Sequence, residues 1–408
     1  MISNSLMWNT IMLYLLTVSK ILFPMIVLPY LTRVLSVEAF AVVVYVRTLM
    51  NCLQDIVNFG FLISGTKDIV AVRENKARLE IELGTILGAT LLISFLTFFA
   101  LVIMCVNIPL LFKNISYVML SYVVVVLSCF FVEYFFRGLE IMEFITIRYF
   151  FMKLFVLILT FFLVKEDNDV LWIPILDIIA AILAIGFVWR KIWGMNVKVK
   201  IGKVSYVLIK IKESAVYFAN SVSDMIFGAL NTLIIGIYLT ESQVSYWSIC
   251  QQLIGGVQAF YYPVSNSIFP VMVKTRRIGL IKNILLIMTP LVLIGSGVVY
   301  LCADEIIVFI AGEKYIEASG LLKLLVPVMF ISFYSIICGW PILGAINKQN
   351  DVTKTTVIAA TSQVFGLLFL IQYHLFSLVN VSILRNLSEV ILCLGRMFFG
   401  LRYRNLFL

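Results

Sequence analysis

Residues 83–106 read LGTILGATLLISFLTFFALVIMCV and contain no charged residue. A helix needs about 20 apolar residues to cross the hydrocarbon core of a bilayer, so this stretch predicts a transmembrane helix. Similar stretches recur along the whole chain. We predict twelve spans, at 7–30, 39–62, 83–106, 116–136, 143–164, 170–189, 214–239, 245–270, 283–303, 321–346, 356–376 and 378–400.

The composition of the whole chain agrees with this interpretation. Its 408 residues are 62% hydrophobic and 13% charged, whereas a soluble domain is roughly half apolar and about a quarter charged. So few charges could not cover a surface that faces water. Because lipid offers the backbone no hydrogen-bond partners, the spans must be helices. We therefore expect an all-α polytopic membrane protein.

The distribution of basic residues predicts the topology. The formal net charge of +9 could suggest a nucleic-acid partner, but the bases lie in short segments between apolar runs. With a cytoplasmic N-terminus, twenty lysines and arginines fall in inside segments and four in outside segments. Because cytoplasmic loops carry the excess of Lys and Arg, both termini are predicted to be cytoplasmic.

The longest polar segment divides the chain. We predict an N-terminal six-helix lobe at 1–189, a basic cytoplasmic linker at 190–213 and a C-terminal six-helix lobe with a short cytoplasmic tail at 214–408. A short echo supports a duplication, since LSVEAF at 35–40 is similar to LTESQV at 239–244. Both lobes would begin inside, as parallel repeats do.

No catalytic or metal-binding pattern accompanies these spans. The seven cysteines are isolated and lie almost entirely in apolar runs, and His374 is the only histidine. The segment GFLISGTK at 60–67 approaches a phosphate-binding loop, but it inverts the last pair of that motif. We expect no catalytic residue, no metal, no cofactor and no nucleic-acid partner.

Four basic residues lie deep in the spans of the first half: Lys20, Arg47, Arg148 and Lys153. None has an evident neighbour of opposite charge on its own helix, and a lone charge near the bilayer centre is costly. They would suit a water-filled cavity that receives an anionic head group. The alternative is an ion pair between helices, with Asp55 or Asp177 as the partner. Asp55, Asp177 and Asp224 are also the candidates for ion coupling or gating.

Other charges within the spans have simpler explanations. Glu133 with Arg137, and Arg385 with Glu389, are spaced i, i+4 and can pair along one helix. The bases Lys323 and Arg396 lie close enough to helix ends for their charged groups to reach the interface.

Several short motifs carry a resemblance to a known family. They are PYLTRVL at 29–35, NFGF at 58–61, SGTKDI at 64–69, YYP at 261–263 with FP at 269–270, GEKY at 312–315 and LLKLL at 321–325. In these motifs the chain resembles the O-antigen flippases (Wzx), in the polysaccharide branch of the MATE-like transporter superfamily. Within these motifs, the candidate functional residues are Pro29, Tyr30, Arg33, Gly60 and Gly65. Where the family usually has glycine, this chain has Ser36 and Ala41.

The resemblance implies a MATE-like fold of two lobes in the bacterial inner membrane. It implies transfer of an undecaprenyl-pyrophosphate-linked oligosaccharide from the inner to the outer leaflet by alternating access. The implied partners are this lipid-linked substrate, membrane lipids, and polysaccharide polymerase and chain-length proteins.

Two other functions stay open at this point. A MATE-type drug or metabolite exporter handles cations and should favour deep acids over deep bases. An O-antigen polymerase or ligase typically carries a large periplasmic loop, whereas the longest outside segment here is about 304–320.

Overall fold

The structure is a computed structural model. It describes the backbone of residues 2–407 and the side chains of residues 8–9, 11–218, 222, 225–226 and 228–407. Every regular element in this part of the chain is helical, as the composition predicted. The chain forms two compact units, Met1–Met225 and Ile226–Leu408, which we describe separately.

The first unit contains long apolar helices separated by short turns. Its α-helices are α1 (Ile2–Val34), α2 (Val37–Asn58), α3 (Phe61–Val72), α4 (Lys76–Asn107), α5 (Pro109–Lys113), α6 (Ile115–Ser128), α7 (Glu133–Gly138), α8 (Met142–Leu163), α9 (Trp172–Gly194) and α10 (Val204–Met225). Helix α8 packs against α1 and α9, and α2 packs against α4 and α6.

The second unit begins with the π-helical turn Ile226–Leu230. Its α-helices are α11 (Asn231–Tyr238), α12 (Glu241–Ala259), α13 (Tyr261–Thr275), α14 (Ile278–Leu301), α15 (Ala303–Ala311), α16 (Ala318–Ile337), α17 (Gln349–Gln372) and α18 (Leu378–Arg402). Helix α18 packs against α16 and α17, and a second π-helical turn, Cys338–Leu343, follows α16.

Ten helical segments are long and apolar enough to cross a membrane among the residues whose placement is described. They match predicted spans one to six and nine to twelve. The predicted span 214–239 falls on α10 and α11, which include side chains outside the described set, and 245–270 falls on α12 and α13. All of the predicted spans therefore lie on helices.

The two segments of the internal echo begin a helix in the same way. Ser36 caps α2, because its hydroxyl accepts a hydrogen bond from the N–H of Ala39 at 3.1 Å. Thr240 caps α12 through a capping box with Gln243. A hydroxyl at this position satisfies one of the orphan N–H groups of the first helical turn. The serine that replaces the family's usual glycine therefore has a local role.

The predicted second span is interrupted at two residues. Phe59 and Gly60 both have positive φ, 40° and 74°, so α2 ends at Asn58 and a new helix starts at Phe61. The N–H of Phe59 donates to the carbonyls of Asp55 and Ile56, which closes the end of α2. Glycine adopts the left-handed region without a steric cost, so Gly60 suits the break between α2 and α3.

The basic segment after α9 is bound to the first unit. The backbone N–H of Lys200 donates to the carbonyl of Glu80 at 3.2 Å, and the Lys200 ammonium contacts the Glu80 carboxylate at 2.6 Å. Helix α10 then packs against α3 and α4. The lobe boundaries at 189/190 and 213/214 stay a prediction. They were defined by which segments lie in the membrane and which lie in the cytoplasm, and helix packing does not test that.

Candidate functional site

A cavity of about 690 Å³ lies within the first unit. Helices α1, α2, α6, α8 and α9 all contribute to its wall. All four deep bases predicted from the sequence, Lys20, Arg47, Arg148 and Lys153, line this one cavity. Three carboxylates, Asp55, Glu133 and Asp177, line it too, so the formal charge of the wall is +1.

Arg148 on α8 is buried and paired. One guanidinium nitrogen lies 2.5 Å from the Glu133 carboxylate, and the guanidinium also covers the ring of Phe131 at 4.1 Å. Its other terminal nitrogen, Nη1, has no hydrogen-bond partner among the described residues. The expected pairing of Glu133 with Arg137 is therefore wrong. Val132 has a φ of 42°, and this break between the 3₁₀ turn Cys129–Phe131 and α7 presents Glu133 to α8.

Lys153, five residues further along α8, is also paired. Its ammonium lies 2.9 Å from the Asp177 carboxylate on α9, and both side chains are partly exposed to the cavity. This is the ion pair between helices that the sequence left open as the alternative for the deep bases. Neither partner is stranded in lipid, so the pair offsets much of the cost of both charges.

Lys20 and Arg47 differ from the other two bases. Within the described part of the chain, no carboxylate lies within ion-pair distance of either. Lys20 is exposed to the cavity, and its ammonium lies 5.8 Å from the centre of the Tyr149 ring. These two cations are the groups most available to an anion that enters the cavity.

A polar stripe on α2 adds hydrogen-bonding groups to the wall. Arg47, Asn51, Gln54, Asp55 and Asn58 all line the cavity. They recur at i, i+4, i+7, i+8 and i+11, which places them on one face of the helix. This spacing is visible in the sequence. It would have identified Asn51, Gln54 and Asn58, which are not among the predicted site residues because only charged side chains were chosen for the cavity.

The five motif residues singled out from the sequence, Pro29, Tyr30, Arg33, Gly60 and Gly65, do not line the cavity, whereas Leu31, Asn58 and Phe61 of the same motifs do. The hydroxyl of Tyr30 donates to the carbonyls of Phe161 and Val164 at the end of α8, at 2.9 and 2.8 Å. Arg33 donates to the carbonyl of Pro29 at 2.8 Å. Gly65 allows α3 to approach Tyr134, since an added Cβ would lie 3.2 Å from that ring.

The second unit holds a buried polar network of its own. The predicted pair between Arg385 and Glu389 is confirmed at 2.9 Å, and the hydroxyl of Ser335 also donates to Glu389 at 2.5 Å. Gln363 on α17 donates to Asn231 on α11 at 2.8 Å.

Two bases of the second unit, which the sequence predicted to reach the interface, have protein partners. Lys323 pairs with Asp304 at 3.0 Å. Hydrogen bonds from Ser319 and Lys323 hold the pKa of Asp304 below its usual value. Arg396 donates to the carbonyl of Ser335 at 2.6 Å. The side chain of Asp224, a candidate for ion coupling, lies outside the described residues.

Neither unit offers a recognisable metal site in its described part. No group of three or more His, Cys, Asp or Glu side chains is arranged there to hold an ion. The charged and amide side chains of the cavity wall can attract ions and form hydrogen bonds.

The chain is similar in sequence to a known protein family and to two proteins named as transporters. Residues 6–276 match the family described as "Polysaccharide biosynthesis protein". A Shigella dysenteriae protein named "Putative O-antigen transporter" is 24% identical over 378 residues, which cover 90% of this chain and 93% of that protein. A protein of the same name from Escherichia coli (strain K12) is 23% identical over 369 residues, which cover 87% of each chain.

Two solved structures share the fold. The lipid II flippase MurJ in an inward closed conformation superposes with a TM-score of 0.70 at 14% identity, covering 96% of this chain and 87% of that one. An inward-facing multidrug resistance MATE family transporter of the MOP superfamily has a TM-score of 0.66 at 13% identity, covering 96% and 94%. The MATE-like fold predicted from the sequence is therefore confirmed.

Proposed function

The chain belongs to the polysaccharide biosynthesis protein family, and from that premise we propose that it is a flippase for lipid-linked polysaccharide repeat units. It moves an undecaprenyl-pyrophosphate-linked O-antigen unit, or a similar one, from the cytoplasmic to the periplasmic leaflet of the bacterial inner membrane. Both termini are cytoplasmic in this proposal, which rests on the strong bias of Lys and Arg to one set of loops.

The cavity of the first unit is the observation that carries the proposal. The substrate has an anionic pyrophosphate and a hydrophilic glycan, and both need a polar environment within the membrane. Lys20 and Arg47 supply positive charge that no carboxylate pairs with in the described residues. The amides of Asn51, Gln54 and Asn58 supply donors and acceptors that match sugar hydroxyls.

Alternating access would carry the bound unit across. In transporters built from repeats, the two halves rock about a site that lies near the midplane. No nucleotide-binding motif is present in the sequence, so we propose that an ion gradient or the supply of substrate drives the cycle. Asp55 and Asp177, which line the cavity, remain the candidates for ion coupling, together with Asp224.

A cation exporter fits the same cavity less well. It would need acids that are available to bind a cation, whereas two of the three carboxylates in the wall, Glu133 and Asp177, are each within 2.9 Å or less of a protein base. Polysaccharide polymerase and chain-length proteins are the partners that we propose, since their substrate would be the product of this transport step.

The test is a deletion of the gene, with the location of the lipid-linked repeat units as the readout. We expect the surface polysaccharide to be lost and the units to accumulate on the cytoplasmic leaflet, where they are accessible in inverted vesicles. Complementation with the unaltered chain should restore the polysaccharide. Unpolymerised units on the periplasmic leaflet would instead indicate a polymerase.

A further inference from the structure

The motif residues that follow the break at Phe59 form a surface that packs against α10. This surface has no role in the proposed function described above. Gly60 precedes α3, and Ser64 and Asp68 follow it at spacings of four residues along one face of that helix. Together with Glu82 on α4, they contact the facing turns of α10. We call these four residues the α10 seat.

The contacts in the seat run antiparallel along the two helices. At one end, the ring of Phe218 stacks on Phe59, with centroids 4.6 Å apart. In the middle, the hydroxyls of Ser64 and Ser214 lie 2.6 Å apart and are buried. Gly60 makes the approach possible, because an added Cβ would lie only 2.8 Å from the backbone N of Phe218.

At the other end, a buried lysine is held by several acids. The Lys210 ammonium lies 2.8 Å from Asp68, 3.4 Å from Glu82 and 3.7 Å from Glu213. Lys210 is only 7% exposed. Burial by itself lowers the pKa of Lys210, but the hydrogen bond and charge of Asp68, with Glu82, raise it above its usual value. The hydroxyl of Tyr206 also donates to Glu82.

Separating α10 from a surface of charged residues costs less free energy than separating it from a surface of apolar side chains. When such a pair separates into water, the ammonium and the carboxylates regain their hydration, which offsets most of the lost attraction. Beyond the seat, α10 runs into the π-helical turn Ile226–Leu230, and the second unit begins there. Turns of this kind interrupt the regular helix and frequently occur at functional sites.

We propose that Lys210 is a positioning residue for transport, and that α10 leaves the α10 seat once in each transport cycle. The proposal rests on the proposed function, because alternating access needs an element with two discrete positions whose populations the substrate can shift. In the conformation of this structure α10 is docked, and the charges of Asp68 and Glu82 hold it there.

The test uses a pair of cysteines, Ser64→Cys with Ser214→Cys, in inverted membrane vesicles that contain the full chain. The vesicles make undecaprenyl-pyrophosphate-linked oligosaccharide from radiolabelled nucleotide sugars, and its arrival at the luminal leaflet is measured. After mild oxidation we expect the disulfide to form and transport to fall about tenfold or more. Reduction with dithiothreitol should restore transport, and chains that carry only one of the two substitutions should be insensitive to the oxidant.

Two results would overturn the proposal: a complete disulfide with transport at the unmodified rate, or no disulfide at all. A second readout does not depend on transport. Lys210→Met, added to the chain with both cysteine substitutions, should slow formation of the disulfide between them about tenfold, the change expected for a lost charge-assisted hydrogen bond. An unchanged rate would remove Lys210 from the mechanism. Vesicles of the unaltered chain that move no lipid would instead reject the proposed function, while the disulfide rates would still report on the seat.

Discussion

Replacing Arg148 by alanine should destabilise the first unit before it affects transport. The change leaves the Glu133 carboxylate, which is about three-quarters buried, without the guanidinium that lies 2.5 Å away. Breaking a buried ion pair by removing one partner costs roughly 3–5 kcal/mol. Because the carboxylate retains some exposure to the cavity, we expect the lower end of that range. Loss of the stacking on Phe131 adds about 1 kcal/mol.

The free energy of unfolding should therefore fall by about 4 kcal/mol, against a typical total of roughly 5–15 kcal/mol. We expect the membrane abundance of Arg148→Ala to drop and its melting temperature in detergent to fall by about 10 °C. The double variant Arg148→Ala with Glu133→Gln removes the stranded charge and should recover about half of that loss. Quantitative immunoblots and thermal unfolding of the purified protein measure both effects.

The matched control is Arg190→Ala, an exposed arginine near the end of α9, which should leave abundance and melting temperature unchanged. If Arg148→Ala keeps its melting temperature and its abundance but abolishes transport, the ion pair between Arg148 and Glu133 does not stabilise the first unit. Arg148 would then act as a free base of the cavity.

Three further predictions concern the cavity, the turn at Gly60 and the membrane topology. Lys20→Ala should reduce surface polysaccharide while membrane abundance stays intact, because no carboxylate in the described residues is stranded by the change; a parallel fall in abundance on immunoblots would contradict it. Gly60→Ala should lower the stability by about 2–4 kcal/mol, since it combines a φ of 74° with a backbone contact at 2.8 Å, whereas Gly186→Ala meets open space and should melt no earlier than the unaltered chain. Reporter fusions at Lys200 and Lys314 should report cytoplasm and periplasm respectively, and a periplasmic signal at Lys200 would reject the proposed topology.

The amino-acid sequence by itself determined the fold class and the helices. Hydrophobicity along a single stretch is a local property, and lipid forces any such stretch to satisfy its own backbone hydrogen bonds. The i, i+4 pair of Arg385 and Glu389 was predictable for the same reason, because both partners lie on one helix. The depth of Lys20 and Arg47 could also be predicted from their positions within the spans.

The tertiary structure alone decided which charges meet. Arg148 faces Glu133 because the backbone turns at Val132, and Lys153 faces Asp177 because α8 lies beside α9 with both side chains on the shared side. The seat of α10 joins Asp68 to Lys210 across 142 positions of the chain. Such pairings depend on how each helix is rotated about its axis and where it crosses its neighbours. In lipid, the different apolar faces of one helix are nearly equal in energy, so the sequence of a single helix does not determine its rotation. The rotation is determined by the packing of all the helices together.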